Sequence, residues 1–137
     1  MKYTNYTGNK VFIFGSNTEG IHGAGAAAYA LNNYGAVWGQ PIGLQGNSYA
    51  IITKDLSKGN KSISLKVIKA QLLKLFEFAK NNPNLEFYLT AIGTGLAGYS
   101  MKEIVSLFIR EDIPSNIELC QEFKNYINKE RYCYGID

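Results

Sequence analysis

The sequence predicts an α/β fold, a three-layer αβα sandwich in which a mixed, mainly parallel sheet lies between helices. Apolar, strand-like runs alternate with helical periods in the order β-α-β-β-α-β-α-β-α, and this alternation is typical of a parallel sheet. The length of 137 residues, 46% of them hydrophobic and 18% charged, is that of one globular domain spanning residues 1–137.

The first half of the chain supplies three predicted strands and one helix. VFIFG (11–15) is a continuous apolar run, as expected of a strand buried on both faces. The alanine-rich run 26–35 predicts a helix that ends at Gly35, a residue suited to the left-handed position after a helix. AVWG (36–39) and SYAIITK (48–54) are predicted strands on either side of a loop.

The second half begins with an amphipathic helix, predicted over 64–80 because its apolar residues recur at the helical spacing. Asn81-Asn82-Pro83 ends that helix. Ser100 and Glu103 have the spacing of a capping box that opens a helix through Phe108. The remaining elements are two strands and a final amphipathic helix, predicted over 86–92, 117–120 and 121–131.

Composition excludes several classes of protein. The net charge of +3 is mild and the lysines are scattered along a predicted helix, which favours a solvated helix face over a nucleic-acid patch. No apolar run is long enough for a membrane span, and MKYTNYTGNK lacks the centre of a secretory signal. Cys120 and Cys133 have no metal-like spacing, and His22 is the only histidine. We therefore expect a cytoplasmic protein with no metal, no cofactor and no membrane partner.

Two glycine-rich loops follow predicted strands. GSNTEGIHGAGAA (15–27) follows the first strand, and GTGLAGYS (93–100) follows the strand at 86–92. Ligands of open α/β sheets bind beyond the carboxyl ends of the strands, where backbone amides and helix N-termini attract anions. The two loops therefore predict a diphosphate held from both sides. The alternative is that these glycines only make tight turns and close helix–sheet contacts.

Gly93, Gly95 and Gly98 also have the G-x-G-x-x-G spacing of a dinucleotide-binding turn. That fingerprint normally lies on the first strand of a larger unit, whereas here little chain follows it. Glu118 lies near the distance at which an acidic residue would hold the ribose, but the remaining architecture does not fit. A nicotinamide or flavin oxidoreductase is therefore disfavoured.

The ordered set FGSN-x4-HGAGAA (14–27), SYAIITK (48–54) and AIGTGLAGYS (91–100) resembles the macrodomain superfamily. The most similar branch is the terminal ADP-ribose protein glycohydrolase type, and the chain is also similar to small macro-like proteins encoded by phages. The resemblance covers residues 11–120 and implies a macrodomain-like αβα fold that binds ADP-ribose or a related nucleotide.

Carried over by position, and with His22 and Tyr99 added because they fall in the loops, the predicted ligand-binding residues lie in the two glycine loops. They are Ser16, Asn17, His22, Gly23, Ala24 and Gly25 in the first loop, and Gly93, Thr94, Gly95, Leu96, Ala97, Gly98 and Tyr99 in the second.

The resemblance implies a catalytic role for Lys54, since the lysine that ends this strand in the glycohydrolase branch attacks the anomeric carbon of the ribose. Such a lysine must be a neutral amine. The alternatives are a solvated lysine beside Asp55 and a lysine that contacts phosphate.

The chain departs from the branch at two positions. Ala97 stands where the branch has an acidic residue, and Asn9 stands near the site of an adenine-reading aspartate. We therefore expect a module that binds ADP-ribose or a derivative without fast turnover and sequesters a nucleotide signal. One alternative is an ADP-ribosyl glycohydrolase that uses Lys54, with Asn17, His22 or Asp55 in place of the missing acid. Another is a protein-interaction role on a scaffold whose site has decayed.

Overall fold

In the part of the chain that the structure describes, five strands and four helices follow one another in the order that the sequence predicts. The computed structural model describes the backbone of residues 8–133 and the side chains of residues 8–130. The strands are β1 (Lys10–Asn17), β2 (Gly43–Gln45), β3 (Ser48–Lys54), β4 (Glu86–Leu89) and β5 (Ile117–Leu119). The helices are α1 (Gly25–Asn33), α2 (Leu65–Lys80), α3 (Met101–Val105) and α4 (Gln121–Cys133). Thr7 and the side chain of Cys133 lie outside the described part.

The strands form one mixed sheet in the order β2-β3-β1-β4-β5. β1 pairs in parallel with both β3 and β4, β4 pairs in parallel with β5, and β2 alone runs antiparallel to its neighbour. The α/β class and the mainly parallel sheet are therefore confirmed. Because β1 and β4 are parallel neighbours, the two glycine loops that follow them leave the same edge of the sheet.

The alternation of side chains along β1 divides the core between the two faces of the sheet. Val11 and Ile13 pack in a large cluster with apolar residues of α2, α3 and α4. Phe14, on the opposite face, packs with Ala27 and Ala30 of α1. Helices therefore cover both faces, an arrangement consistent with a three-layer sandwich.

The predicted strand at 36–39 is wrong. Residues 36–39 form no strand, and the antiparallel neighbour of β3 is β2, seven residues further along the chain from Ala36. Val37 and Trp38 are exposed, and the Val37 amide donates to Gln45 Oε1 at 2.8 Å, so this segment is bonded to a side chain and not to a strand. Gly46 and Asn47 make the tight turn between β2 and β3.

Two other elements are shorter than predicted. β4 ends at Leu89 and not at residue 92, because the chain turns at Ala91, whose carbonyl accepts from the Thr94 amide at 3.4 Å. α3 ends at Val105 instead of Phe108, and tighter turns follow it, since the Phe108 amide donates to Val105 O at 3.1 Å.

In the described part of the chain, no helix combines the length and apolar character needed to cross a membrane. The described residues also contain no group of three or more His, Cys, Asp or Glu side chains arranged to hold a metal ion.

Candidate functional site

A cleft of about 530 Å³ opens at the sheet edge where β1, β3 and β4 end. Four parts of the chain line this cleft: the end of β1 with the first glycine loop and the start of α1, the end of β3, the second glycine loop, and the first turn of α4. The principal lining residues are Gly15, Ser16, Asn17, Ile21, Ala24, Gly25, Ala26, Ala27, Thr53, Lys54, Thr90, Gly93, Thr94, Gly95, Leu96, Ala97 and Glu122.

The side chain of Asn17 shapes the first loop. Its Oδ1 accepts from the amides of Glu19 and Ile21 at 3.2 and 3.0 Å, and its Nδ2 donates to Ile21 O at 2.8 Å. An asparagine that replaces backbone partners in this way fixes a turn. Asn17 therefore lies in the cleft as predicted, but most of its hydrogen-bonding capacity is used within the loop.

The first loop delivers the N-terminus of α1 into the cleft with no side-chain cap. Ala24 occupies the cap position in an extended conformation, and its methyl group cannot accept a hydrogen bond. No acidic residue lies in the first turn. The amides of Gly25, Ala26 and Ala27 find no acceptor in the described part of the chain, while Ala28 donates to Ala24 O. These open amides and the positive end of the helix dipole favour an anion.

The second loop is closed largely by its own hydrogen bonds. The amide of Gly98 donates to Gly95 O, and that of Tyr99 donates to Gly93 O, both at 3.0 Å. Lys61, from the segment before α2, donates its amide to Ala97 O at 2.7 Å. The glycine pattern here thus serves a turn that is packed and bonded on several sides.

The helix after the second loop neutralises its own N-terminus. The Glu103 carboxylate accepts from the Ser100 amide at 2.8 Å, and Ser100 Oγ accepts from the Glu103 amide at 3.0 Å. The Ser100 amide, and to a smaller extent the Ser100 side chain and the Lys61 ammonium, hold the pKa of Glu103 below its usual value. The predicted capping box is confirmed, and it leaves α3 no uncapped N-terminus for a ligand.

The second loop still offers amides to the cleft. The backbone N–H groups of Gly95, Leu96 and Ala97 donate no hydrogen bond within the described residues, and all three residues line the cleft. The Thr94 hydroxyl, in contrast, donates to Ala91 O at 2.7 Å. The second loop therefore has backbone donors without an acceptor in residues that line the cleft, although the Ala97 N–H points away from Lys54 because the Leu96 carbonyl of the same peptide group points toward it.

Lys54 ends β3 inside the cleft and connects its two sides. The half-buried side chain reaches across so that Nζ donates to Leu96 O at 3.5 Å. Asp55, the next residue, does not line the cleft, since its carboxylate accepts from the amide and hydroxyl of Ser57. Those hydrogen bonds lower the pKa of Asp55. Among the described residues that line the cleft, Lys54 is the only lysine or arginine.

Two predicted ligand-binding residues with reactive side chains lie outside the cleft. His22 is fully buried, with Nε2 3.2 Å from both Gln40 O and Gln45 Oε1. Because both partners are acceptors, we assign the proton to Nε2. The Tyr99 hydroxyl donates to Ile63 O, and its ring is buried. Gly23 and Gly98 likewise do not line the cleft.

Glu122 is a cleft residue that the sequence analysis did not identify. It lies in the first turn of α4, which begins directly after β5. Because β5 is parallel to β4, the chain leaves it at the same sheet edge as the glycine loops. That parallel pairing is the only signal that would have located Glu122, and it is a tertiary one.

No protein-family model, curated protein or solved structure matches the chain.

Proposed function

We propose that this protein binds ADP-ribose or a related nucleotide derivative in the cleft, holding the diphosphate between the N-terminus of α1 and the second glycine loop, and that it sequesters this ligand without fast turnover. One observation carries the proposal. The first turn of α1 opens into the cleft with three unbonded amides, no capping side chain and no acidic residue.

The donors in the cleft suit a diphosphate better than a single small anion. One set lies at the start of α1, and a second set, the amides of residues 95–97, lies on the opposite loop. A helix N-terminus contributes roughly 0.3–1 kcal/mol toward a nearby charge, so a group that contacts both sets gains from each. Lys54 adds the only lysine or arginine side chain among the described residues that line the cleft.

The order of the motifs supports the same ligand class. The glycine loops and the strand ending in Lys54 occur in the order that resembles the macrodomain superfamily, and in the fold β3, β1 and β4 are neighbours. We therefore propose a macrodomain-like arrangement. Ala97, buried and without a carboxylate, stands at the position that is acidic in the glycohydrolase branch, which favours binding over hydrolysis.

Isothermal titration calorimetry on the full chain tests this proposal. ADP-ribose, its cyclic isomers and NAD are titrated alongside inorganic pyrophosphate and phosphate-free adenosine. We expect ADP-ribose to bind, pyrophosphate to compete with it, and adenosine to bind far more weakly. Absence of heat and of thermal stabilisation with every phosphorylated ligand would overturn the proposal.

One observation favours a second candidate, ADP-ribosyl hydrolysis. The Lys54 amine and the Glu122 carboxyl group line the same cleft. In that reaction neutral Lys54 Nζ would form a bond to the anomeric carbon as the bond to the leaving group breaks, and protonated Glu122 would give the leaving group its proton. Water would then release ADP-ribose from the lysine.

Release of ADP-ribose from a modified protein tests the hydrolase. Hydrolysis predicts turnover in the wild type that is lost in Lys54→Ala and reduced roughly 10²–10⁴-fold in Glu122→Gln. Wild-type binding without release, or release that is unchanged in Lys54→Ala, contradicts it.

A further inference from the structure

A second cleft, of about 310 Å³, lies on the sheet face that carries α1 and is lined by aromatic rings. Phe12 of β1 stacks on Tyr34 with ring centroids 4.8 Å apart and planes 6° apart. The ring of Tyr88, in β4, lies 6.2 Å from that of Phe12 and nearly parallel to it. Tyr88 is 38% exposed although β4 is an inner strand of the sheet. In this aromatic cleft the exposed ring of Tyr88 therefore lies beside the stacked, half-buried rings of Phe12 and Tyr34.

The aromatic cleft and the cleft at the sheet edge share no lining residue, but they lie next to one another along β4 and along α1. Tyr88 lines the first and Thr90 the second, and residues two apart on a strand share a face about 7 Å apart. Thr90 lies one residue past the end of β4, but its amide still donates to Ile13 O of the neighbouring strand, so the strand spacing applies to it as well. On α1, Ala26 and Tyr29 line the edge cleft and the aromatic cleft respectively, and residues three apart share a helix face.

We propose that the aromatic cleft is a base subsite, in which the planar base of the ligand stacks on Tyr88 while its phosphates lie at the N-terminus of α1. This inference rests on the proposed function and adds where the base binds and what chemistry it carries. A ligand whose phosphates lie at the first turn of α1 extends toward the aromatic cleft along the helix, since Tyr29 lies three residues beyond Ala26. Aromatic side chains with an accessible face are the usual platforms for bases.

The charges around Tyr88 favour a neutral base that carries an amino group. Burial and the neighbouring Cys120, Glu122 and Glu118 raise the pKa of the Tyr88 hydroxyl, which therefore stays protonated at neutral pH. The rim carries the ion pairs Lys10–Glu86, at 3.9 Å, and Lys124–Glu118, at 3.1 Å. Glu122 has no ion pair within the described residues and lines the neighbouring cleft at the sheet edge. A second phosphate at this subsite would meet carboxylates.

Calorimetry with matched variants and matched ligands tests the base subsite. The probes are ADP-ribose and ribose 5-phosphate, which lacks the base. The variants are Tyr88→Ala, which removes the ring, and Tyr88→Phe, which keeps it. We expect Tyr88→Ala to weaken ADP-ribose binding roughly 10- to 100-fold, the range for loss of one base–aromatic stack. Tyr88→Phe binding should stay within about threefold of wild type, and ribose 5-phosphate should not distinguish Tyr88→Ala from wild type.

The outcomes separate this inference from the proposed function. Unchanged ADP-ribose binding in Tyr88→Ala, or an equal loss for ribose 5-phosphate, overturns the base subsite and leaves phosphate binding intact. Failure of the wild type to bind any phosphorylated probe overturns both. A wild-type dimer that Tyr88→Ala converts to a monomer in light scattering would identify the aromatic cleft as an interface between copies, which also overturns the subsite. Circular dichroism of Tyr88→Ala verifies its fold, and Tyr88→Leu repeats the loss of the ring with a smaller change in packed volume.

Discussion

The two glycine loops have similar sequences but different structural roles. The first leads into α1, whose N-terminus is uncapped and opens into the cleft. The second leads into α3, whose N-terminus is bonded to its own Glu103. Glycine is required in the second loop at least in part for packing, since a Cβ on Gly93 would lie 2.6 Å from Ile104 Cδ1. A glycine pattern by itself does not distinguish a turn that leaves a helix N-terminus open from one that packs on a core.

The largest expected effect comes from the same substitution made once in each loop. Gly93 and Gly25 both have positive φ, +77° and +57°, but a Cβ on Gly25 would meet nothing within 4 Å. Gly25→Ala should cost about 1 kcal/mol of unfolding free energy, from backbone strain alone. Gly93→Ala should cost about 2–4 kcal/mol, because overpacking against buried Ile104 adds to that strain. Urea denaturation measures both, and equal losses would mean that these two positions do not differ in packing.

The first loop can be given the cap that the second already has. Ala24→Asp places a carboxylate at the uncapped start of α1, where it should raise stability by about 1 kcal/mol and lower the affinity for ADP-ribose about tenfold or more. Ala24→Asn is the matched control, since it caps the helix without a charge. Thermal melts and calorimetry measure the two effects. If Ala24→Asp binds ADP-ribose as tightly as Ala24→Asn, the anion does not lie at this helix end.

The opposite substitution removes the N-terminal cap of α3, the helix that follows the second glycine loop. Ser100→Ala loses the hydroxyl that accepts from the Glu103 amide and should cost about 1 kcal/mol of stability. The affinity for ADP-ribose should not change, because Ser100 does not line the cleft. A clear loss of affinity for ADP-ribose in a Ser100→Ala variant that remains folded would show that α3 also contributes to ligand binding.

The smallest effect is a pH dependence of the capping carboxylate. The pKa of Glu103 in the folded chain is held below its usual value of 4.5, mainly by the Ser100 amide. Its stabilisation is therefore fully present above that usual value and is lost as the pH falls through the lowered pKa. Glu103→Gln should flatten this part of the acid side of the stability profile. Asp55 has a lowered pKa as well, so a smaller acid dependence must remain in the variant.

Local patterns were enough to predict most of the fold. Apolar runs such as VFIFG mark β1, the helical spacing marks α2, and the spacing of Ser100 and Glu103 marks the start of α3. The strand predicted at 36–39 is wrong because its apolar residues belong to a connecting segment. The true strand, β2, has only three residues, one of them glycine, and so shows no apolar pattern. The Gly46-Asn47 pair before Ser48 was the better hairpin signal.

The composition of the candidate site was only partly predictable. The loops and Lys54 could be placed at one sheet edge because parallel strands end together. Which side chains face the cleft depends on tertiary packing. His22 forms a hydrogen bond with Gln45, 23 residues further along the chain, and the Tyr99 hydroxyl donates to Ile63 O. Glu122 enters the cleft only because β5 pairs with β4, which no local pattern encodes.

The central position of β1 constrains how the chain folds. Ile13 is paired with Tyr49 on one side and with Leu89 on the other, so the middle of the sheet joins segments far apart along the chain. Such long-range pairings slow folding, since large loops must close before the pairing is gained. During synthesis the first glycine loop can bond to Gly39 and Lys54 early, but the second glycine loop joins it only after β4 leaves the ribosome. A fragment that stops before β4 would therefore carry the uncapped helix but only part of the cleft lining.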